Sequence, residues 1–391
     1  MHLKILPGDF VVEERARLAL QDRGPWAVYR VRKVNLTTLE AQTRLARALG
    51  LPRKQVILPA LKDKEAITYQ FACLPADQPA KIEEERLSAQ RLGFRATPLG
   101  VADLLGNRFT LIIRDLSPAE AERLAEGLAM CAQRGLPNYF AEQRFGSLVP
   151  GGEYPGRAIL RRDAEAALRA HFTQPFVGDP PGVRAFKRRA AALWPDWRAL
   201  MDAAPKPSNF RSVLTYLIDH PQGYRHALNL IPQRLLSLYL AAYQSALWNR
   251  IAAAYVQEFC TAQSIPWRPL VIAEQTLPIP YGLTEDQVAQ LRAQRLALPS
   301  HQARFPSPLE PLVRRVLAEE GLALPDLKAR ILAKAYLPKG ERTLWLLPEE
   351  MTVAEPCPDV RFPGRHALRV SFALARGSYA TLVVQAAAAL L

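Results

Sequence analysis

Apolar and polar positions alternate in short runs over the first third of the chain and then give way to longer helical periods. "DFVVEER" (9–15) and "WAVYRVRKV" (26–34) read as strands, and "ITYQFAC" (67–73) alternates so that Ile67, Tyr69, Phe71 and Cys73 share one face. "QVIL" (55–58) and "GNRFTLIIRDL" (106–116) carry the same β character. Between them, "TTLEAQTRLARALG" (37–50) predicts a helix capped by Thr37 or Thr38 and stopped at Gly50. "SPAEAERLAEGLAMCAQRG" (117–135) predicts a second, with Ser117 as cap and Pro118 in its first turn. Strands and helices mix without a regular βαβ period, which favours an α+β sheet domain over a doubly wound one.

The pattern changes near residue 147, where Pro, Arg and Ala become abundant and basic clusters appear in "VRAFKRRAAALWPDWRALM" (183–201). "LLSLYLAAYQSALWNRIAAAYVQEF" (235–259) predicts a long, strongly apolar helix, and residues 269–297 a small mixed unit. From about residue 338 β character returns in "TLWLLP" and "ALRVSFALARGSYATLVVQAAAAL". The simplest account is one sheet domain interrupted by a mainly helical insertion. A length of 391 residues, too great for one ordinary core, agrees with that.

Composition sharpens the functional question. Lys and Arg outnumber Asp and Glu by 51 to 37, a net charge of +14 that attracts polyanions and points to nucleic acid. Four scattered cysteines form no C-x-x-C pair, and six scattered histidines form no H-x-x-x-H or H-E-x-x-H motif, which argues against disulfide and transition-metal frameworks. There is no G-x-G, no phosphate-binding G-x-x-x-x-G-K-[ST] loop and no G-x-S-x-G elbow, so the common nucleotide and serine hydrolases are excluded. "MHLKILPGDFVVEE" lacks a signal-peptide core, and no segment is long and apolar enough to span a membrane; a cytoplasmic monomer is the expectation.

One carboxylate stands out. Asp63 lies between Lys62 and Lys64 in the loop "PALKDKEA" (59–66), at a sheet margin where side chains are presented on a rigid support. A metal nuclease would need more carboxylates nearby; basic company suits a carboxylate working alone as nucleophile or base. A solvated K-D-K turn is the plain alternative. "GNRF" (106–109) offers an amide that can read a base edge and an aromatic that can stack, or simply a turn into a strand. "PNYFAEQRFG" (137–146) reads equally as a stacking platform or as a packed aromatic junction.

In series these motifs become specific. K-x-x-P-x-D-F-x-V-x-E from Lys4, loose at its end, is followed by L-K-D-K-x-A-x-T-x-Q (61–70), G-N-x-F (106–109) and P-N-Y-F-x-x-Q-R-F-G (137–146). A-Y-Q-S-x-L-W-N (242–249) and G-S-Y-A-T (377–381) complete the set. The series resembles the TruD family of pseudouridine synthases, densely over 1–146, 242–249 and the last thirty or so residues. The resemblance implies a pseudouridine-synthase-type mixed, mainly antiparallel sheet domain formed by 1–146 and 338–391. A large helical insertion, the TRUD domain, would span 147–337. It implies isomerisation of uridine to pseudouridine in RNA, typically at position 13 of tRNA, without metal or organic cofactor. It places the catalytic aspartate on Asp63, its basic partner on Lys4, substrate-binding positions on Phe10, Asn107 and Tyr379, and base stacking on Phe109. Lys187, Arg188 and Arg189 are candidate contacts to the RNA backbone in a cleft beside the insertion.

The chain departs from the family pattern at Ala60 and Ala141, both commonly Gly, and at Tyr379, commonly Phe, whose hydroxyl needs a partner if buried. A catalytically idle RNA-binding or RNA-folding protein on the same scaffold is the competing reading, and Asp63→Asn with RNA binding retained separates the two.

Overall fold

A computed structural model describes residues 1–390. Two compact units emerge, Met1–Gly135 joined by the chain from Leu346 onward, and Leu136–Trp345.

The first unit is built on strands Phe10–Ala16 (β1), Trp26–Val34 (β2), Ile67–Pro75 (β3), Lys81–Glu84 (β4), Leu87–Arg95 (β5), Leu104–Leu116 (β6), Glu349–Val353 (β7) and His366–Ala375 (β8). They lie in the order β7-β8-β6-β1-β3-β2-β5-β4, and Cys357–Pro358, on β8, brings the sheet to nine strands. Every pair is antiparallel except β1 with β3. The helix Thr38–Ala48 (α1) starts on a reciprocal cap between Thr37 and Glu40 and buries Ala41, Leu45 and Ala46 against Ala27, Tyr29 and Val31 of β2. The helix Pro118–Arg134 (α2), capped by Ser117 and Glu120, packs with the helix Ala380–Ala389 (α3) over β6, β7 and β8. Gly127 permits that contact, because a Cβ there would lie 2.2 Å from the Ala387 carbonyl oxygen.

Residues 380–389, grouped by sequence with the final β segment, are therefore helical. An Ala/Val/Leu run buried on nearly every side has no period to reveal its conformation. The hairpin β4–β5 had no reading in the sequence either, because its charged tip masks the alternation.

The second unit is mainly helical and centred on the helix Gln233–Ala262. The segment 137–146 belongs here rather than to the sheet unit. Asn138 bonds Leu344 and Thr343, the Tyr139 hydroxyl donates to Pro278 O at 3.0 Å, and Asn249 exchanges two hydrogen bonds with the Phe140 backbone. Residues 338–345 fall here too, since Glu341–Thr343 pairs with Arg295–Ala297. Thus A-Y-Q-S-x-L-W-N and N-Y-F-x-x-Q-R-F lock one another: Arg144 reaches Ser245, and Tyr139, Phe140 and Phe145 are all buried. The packed-junction reading holds, and the aromatics of this motif form no exposed platform.

Candidate active site

Asp63 projects from the irregular loop between α1 and β3, about one-third exposed, with Lys4 Nζ 3.4 Å from its Oδ2. Lys4 adopts φ 61°, a conformation unusual for a side chain with a Cβ, and its ammonium also lies 4.1 Å from the centre of the Phe10 ring. A buried ion triad sets this turn. Arg114 binds Asp9 through two bonds of 2.8 and 2.7 Å and Asp359 through one of 2.8 Å, while Asp9 accepts from Leu6 N–H.

Side chains of β2 and α1 fix the loop through its backbone. Lys33, with no exposed surface, donates to the Asp63 carbonyl at 2.6 Å and to the Leu36 carbonyl at 2.7 Å. Desolvation draws Lys33 down from the usual lysine range to about 8, although Asp63 and Glu40 oppose the shift. On the other flank, Lys62 N–H donates to Thr38 Oγ1 at 2.9 Å, and Thr38 donates to Gln70. The Lys62 ammonium turns inward to Glu14 at 2.6 Å and to Asn107 Oδ1 at 2.8 Å. Glu14 is buried and also accepts from Phe71 N–H at 2.9 Å. Lys62 is thus a strut rather than a solvated neighbour of Asp63, while Lys64 is exposed.

The remaining predicted residues assemble through sheet register. On β6, Asn107 and Phe109 stand opposite Glu14 and Val12 of β1. Phe109 meets Phe10 edge-on at a ring separation of 6.1 Å and Phe372 of β8 at 6.0 Å. Only 6% of Phe109 is exposed, so a base would meet a rim of this ring rather than an open face. Gly106 serves by having no side chain: a Cβ there would lie 2.1 Å from the Leu374 carbonyl oxygen of β8. Tyr379 is half-buried at the N-terminus of α3, four residues beyond the end of β8, which pairs there with Gly106. Neither Ala60 nor Ala141 has a positive φ, so neither departure strains the backbone.

Lys187 requires correction. The helix Pro181–Leu193 turns Phe186, Lys187 and Ala190 inward, and the Lys187 ammonium sits 2.7 Å from Asp179 and 3.6 Å from the centre of the Phe176 ring. Burial lowers its affinity for a proton, and Asp179 offsets part of that. It is an internal cation unavailable to phosphate; Arg188 and Arg189 are exposed.

Lys33 and Glu14 were missed by sequence reasoning, yet both carried a signal. Lys33 is in phase with Ala27, Tyr29 and Val31 on β2, and Glu14 with Phe10 and Val12 on β1, so each stands on a buried face. Among the described residues, no group of three His, Cys, Asp or Glu side chains is disposed to hold a metal ion, and no helix is long and apolar enough to cross a membrane.

A crystal structure of a tRNA pseudouridine synthase D from Methanosarcina mazei matches 100% of this chain and 93% of its own at a TM-score of 0.74 and 24% identity, which establishes a shared fold. The tRNA pseudouridine synthase D of Aquifex aeolicus is 26% identical over 98% of this chain and 97% of its own length. That of Geobacter sp. is 30% identical over 66% of this chain and 65% of its own. These likenesses define the class as a pseudouridine synthase, an isomerase of tRNA modification. The family model for tRNA pseudouridine synthase D (TruD) matches residues 1–386, and the chain belongs to that family.

Proposed function

We propose that this chain isomerises uridine 13 of tRNA, with Asp63 as the catalytic carboxylate, Lys4 as its ionic partner, and no metal or organic cofactor. The observation that carries the reading is Asp63 itself. It is a lone, accessible carboxylate whose flanking backbone is clamped on both sides, while the adjacent carboxylate, Glu14, is buried and engaged by Lys62.

The reaction breaks the N1–C1′ bond, turns the uracil and joins C5 to C1′; the C5 proton is lost and N1 gains one. Asp63 serves either by attacking C1′ or by removing the C2′ proton. Because an ammonium only donates, Lys62 fixes the Asn107 amide with Oδ1 toward itself, leaving Nδ2 to donate to a uracil carbonyl. Phe10, Phe109 and Tyr379 supply the apolar walls that offset the cost of unstacking the base. Arg188 and Arg189 remain candidates for the RNA backbone.

The test is tritium release from tRNA transcript labelled at uracil C5, with chelator present. Asp63→Asn is expected to lose at least about 10³-fold in rate while retaining RNA affinity. Release by the variant at the wild-type rate would remove Asp63 from the chemistry. An inactive wild type that still binds RNA would favour the idle scaffold. Mapping the product nucleotide tests position 13.

A further inference from the structure

Lys4 has a second environment. Besides facing Asp63, it lines a cleft of about 450 Å³ within the first unit, together with Arg44, Lys64, Arg86, Glu40 and Glu65. We propose that this cleft is a subsite for a backbone phosphate flanking the target uridine, with Arg44, Lys64 and Arg86 as its cations. The proposal rests on the reading of Asp63 given above.

Three observations support it. First, the cations converge from segments far apart in the chain. Arg44 comes from α1, Lys64 from the Asp63 loop and Arg86 from the β4–β5 turn. That turn is held against the end of β2 by Val34 N–H donating to Arg86 O at 2.9 Å, with Arg86 at φ 63°. Second, the balance of charge favours an anion. Of the two carboxylates, Glu40 also serves the α1 cap, accepting from Thr37 N–H and Oγ1 at 2.7 Å each, while its charge is shared with Lys64 and Arg44. The lining as a whole carries four cations against two carboxylates, with Lys4 shared with Asp63 and Arg86 with Glu85 at 3.7 Å. Third, the site needs such a wall. A uridine delivered to Asp63 brings a phosphate on either side, and each repels the carboxylate. Guanidinium forks beside Lys4 would hold a phosphate by paired charge-assisted bonds and keep it off Asp63. The volume is in the range of sites that take a small-molecule-sized group.

The measurement is binding of tRNA transcript between 50 and 200 mM salt (~50–200 mM, the range over which counterion release is read). The proteins are wild type, Lys64→Gln, Arg44→Gln/Arg86→Gln, and a control, Arg292→Gln/Arg314→Gln, that removes two exposed charges from helices of the second unit. Each lost phosphate contact lowers the steepness of log K against log salt by roughly 0.7 to 0.9. The double variant should therefore lose about 1.5 of slope and bind about tenfold more weakly at the middle of that range, Lys64→Gln should lose about half as much slope, and the control should follow wild type. Lys64 is exposed, so its variant reports even if the double variant folds poorly. Unchanged slopes, or an equal fall in the control, overturn the subsite while tritium release by wild type leaves the functional reading standing. A wild type that neither binds tRNA nor releases tritium overturns both.

Discussion

Lys33 is the residue on which the site's geometry most depends. Its ammonium carries no exposed surface and satisfies two carbonyls, one of them that of Asp63. Its proton affinity falls to about 8, below the unfolded chain's 10.5, and the sign of the linkage follows. Below about pH 8 both states are charged and the buried charge costs folding on the order of 3 kcal/mol. Between about 8 and 10.5 the folded protein sheds a proton that the unfolded chain keeps, so this group's contribution to stability rises with pH. Activity should run the opposite way, falling above about pH 8 as the bonds to the loop lose their charge assistance. Lys33→Met is expected to lower kcat about 10²-fold with tRNA affinity held within about twofold, since about 1 Å of misplacement has that cost. Its melting temperature should move little, because the carbonyls left without donors offset relief of the buried charge. A variant with wild-type kcat in single-turnover tritium release would end the argument. That Asp63 and Lys4 face one another was legible because motifs mark both positions. Lys33 and Glu14 were not, because a charged residue within a strand reads as solvent-facing until the phase of its neighbours is followed.

Among the elements, the α2–α3 pair is one of the close approaches of the first unit. It rests on Gly127, whose missing side chain admits the Ala387 carbonyl of α3. Gly127→Ala gains about 1 kcal/mol of helix propensity, but the Cβ has nowhere to go without moving backbone, which costs about 1 to 3 kcal/mol or more. The net expectation is a fall in melting temperature, visible by calorimetry, where an exposed helical glycine would give a rise. The strands β1, β2, β3 and β6 could be read because alternation, turn residues and caps agree there. Their buried face was less obvious. On β3 it is Thr68, Gln70 and Ala72 that point inward, while Tyr69 lies half-exposed under Arg30. The polar pair looks solvent-facing by type, yet Gln70 is spent on holding Thr38.

Across the whole molecule, one buried group of the second unit should make it sensitive to acid. His171 in the second unit is 3% exposed, bonded through Nδ1 to the Tyr239 hydroxyl at 2.7 Å, and ringed by Phe172 and Phe210. Desolvation, with a smaller push from Lys187, holds it neutral down to about pH 3, against 6.5 in the unfolded chain. As pH falls from 6.5 toward 3 the unfolded chain takes up a proton that the folded unit refuses, so stability is lost by up to about 1.4 kcal/mol per pH unit. His171→Gln should flatten the fall in melting temperature between about pH 7 and 5, and an unchanged slope would assign acid sensitivity elsewhere.

The sheet of the first unit closes only when β8 joins β6, setting Phe372 opposite Phe109. That strand is encoded after the entire second unit. During synthesis Asp63, Lys4 and Lys33 leave the ribosome early, but the wall behind Phe109 is among the last parts made. On the reading of Asp63 proposed above, a polypeptide cut short before His366 would present that carboxylate without Phe372 behind Phe109, and such a fragment is expected to release no tritium.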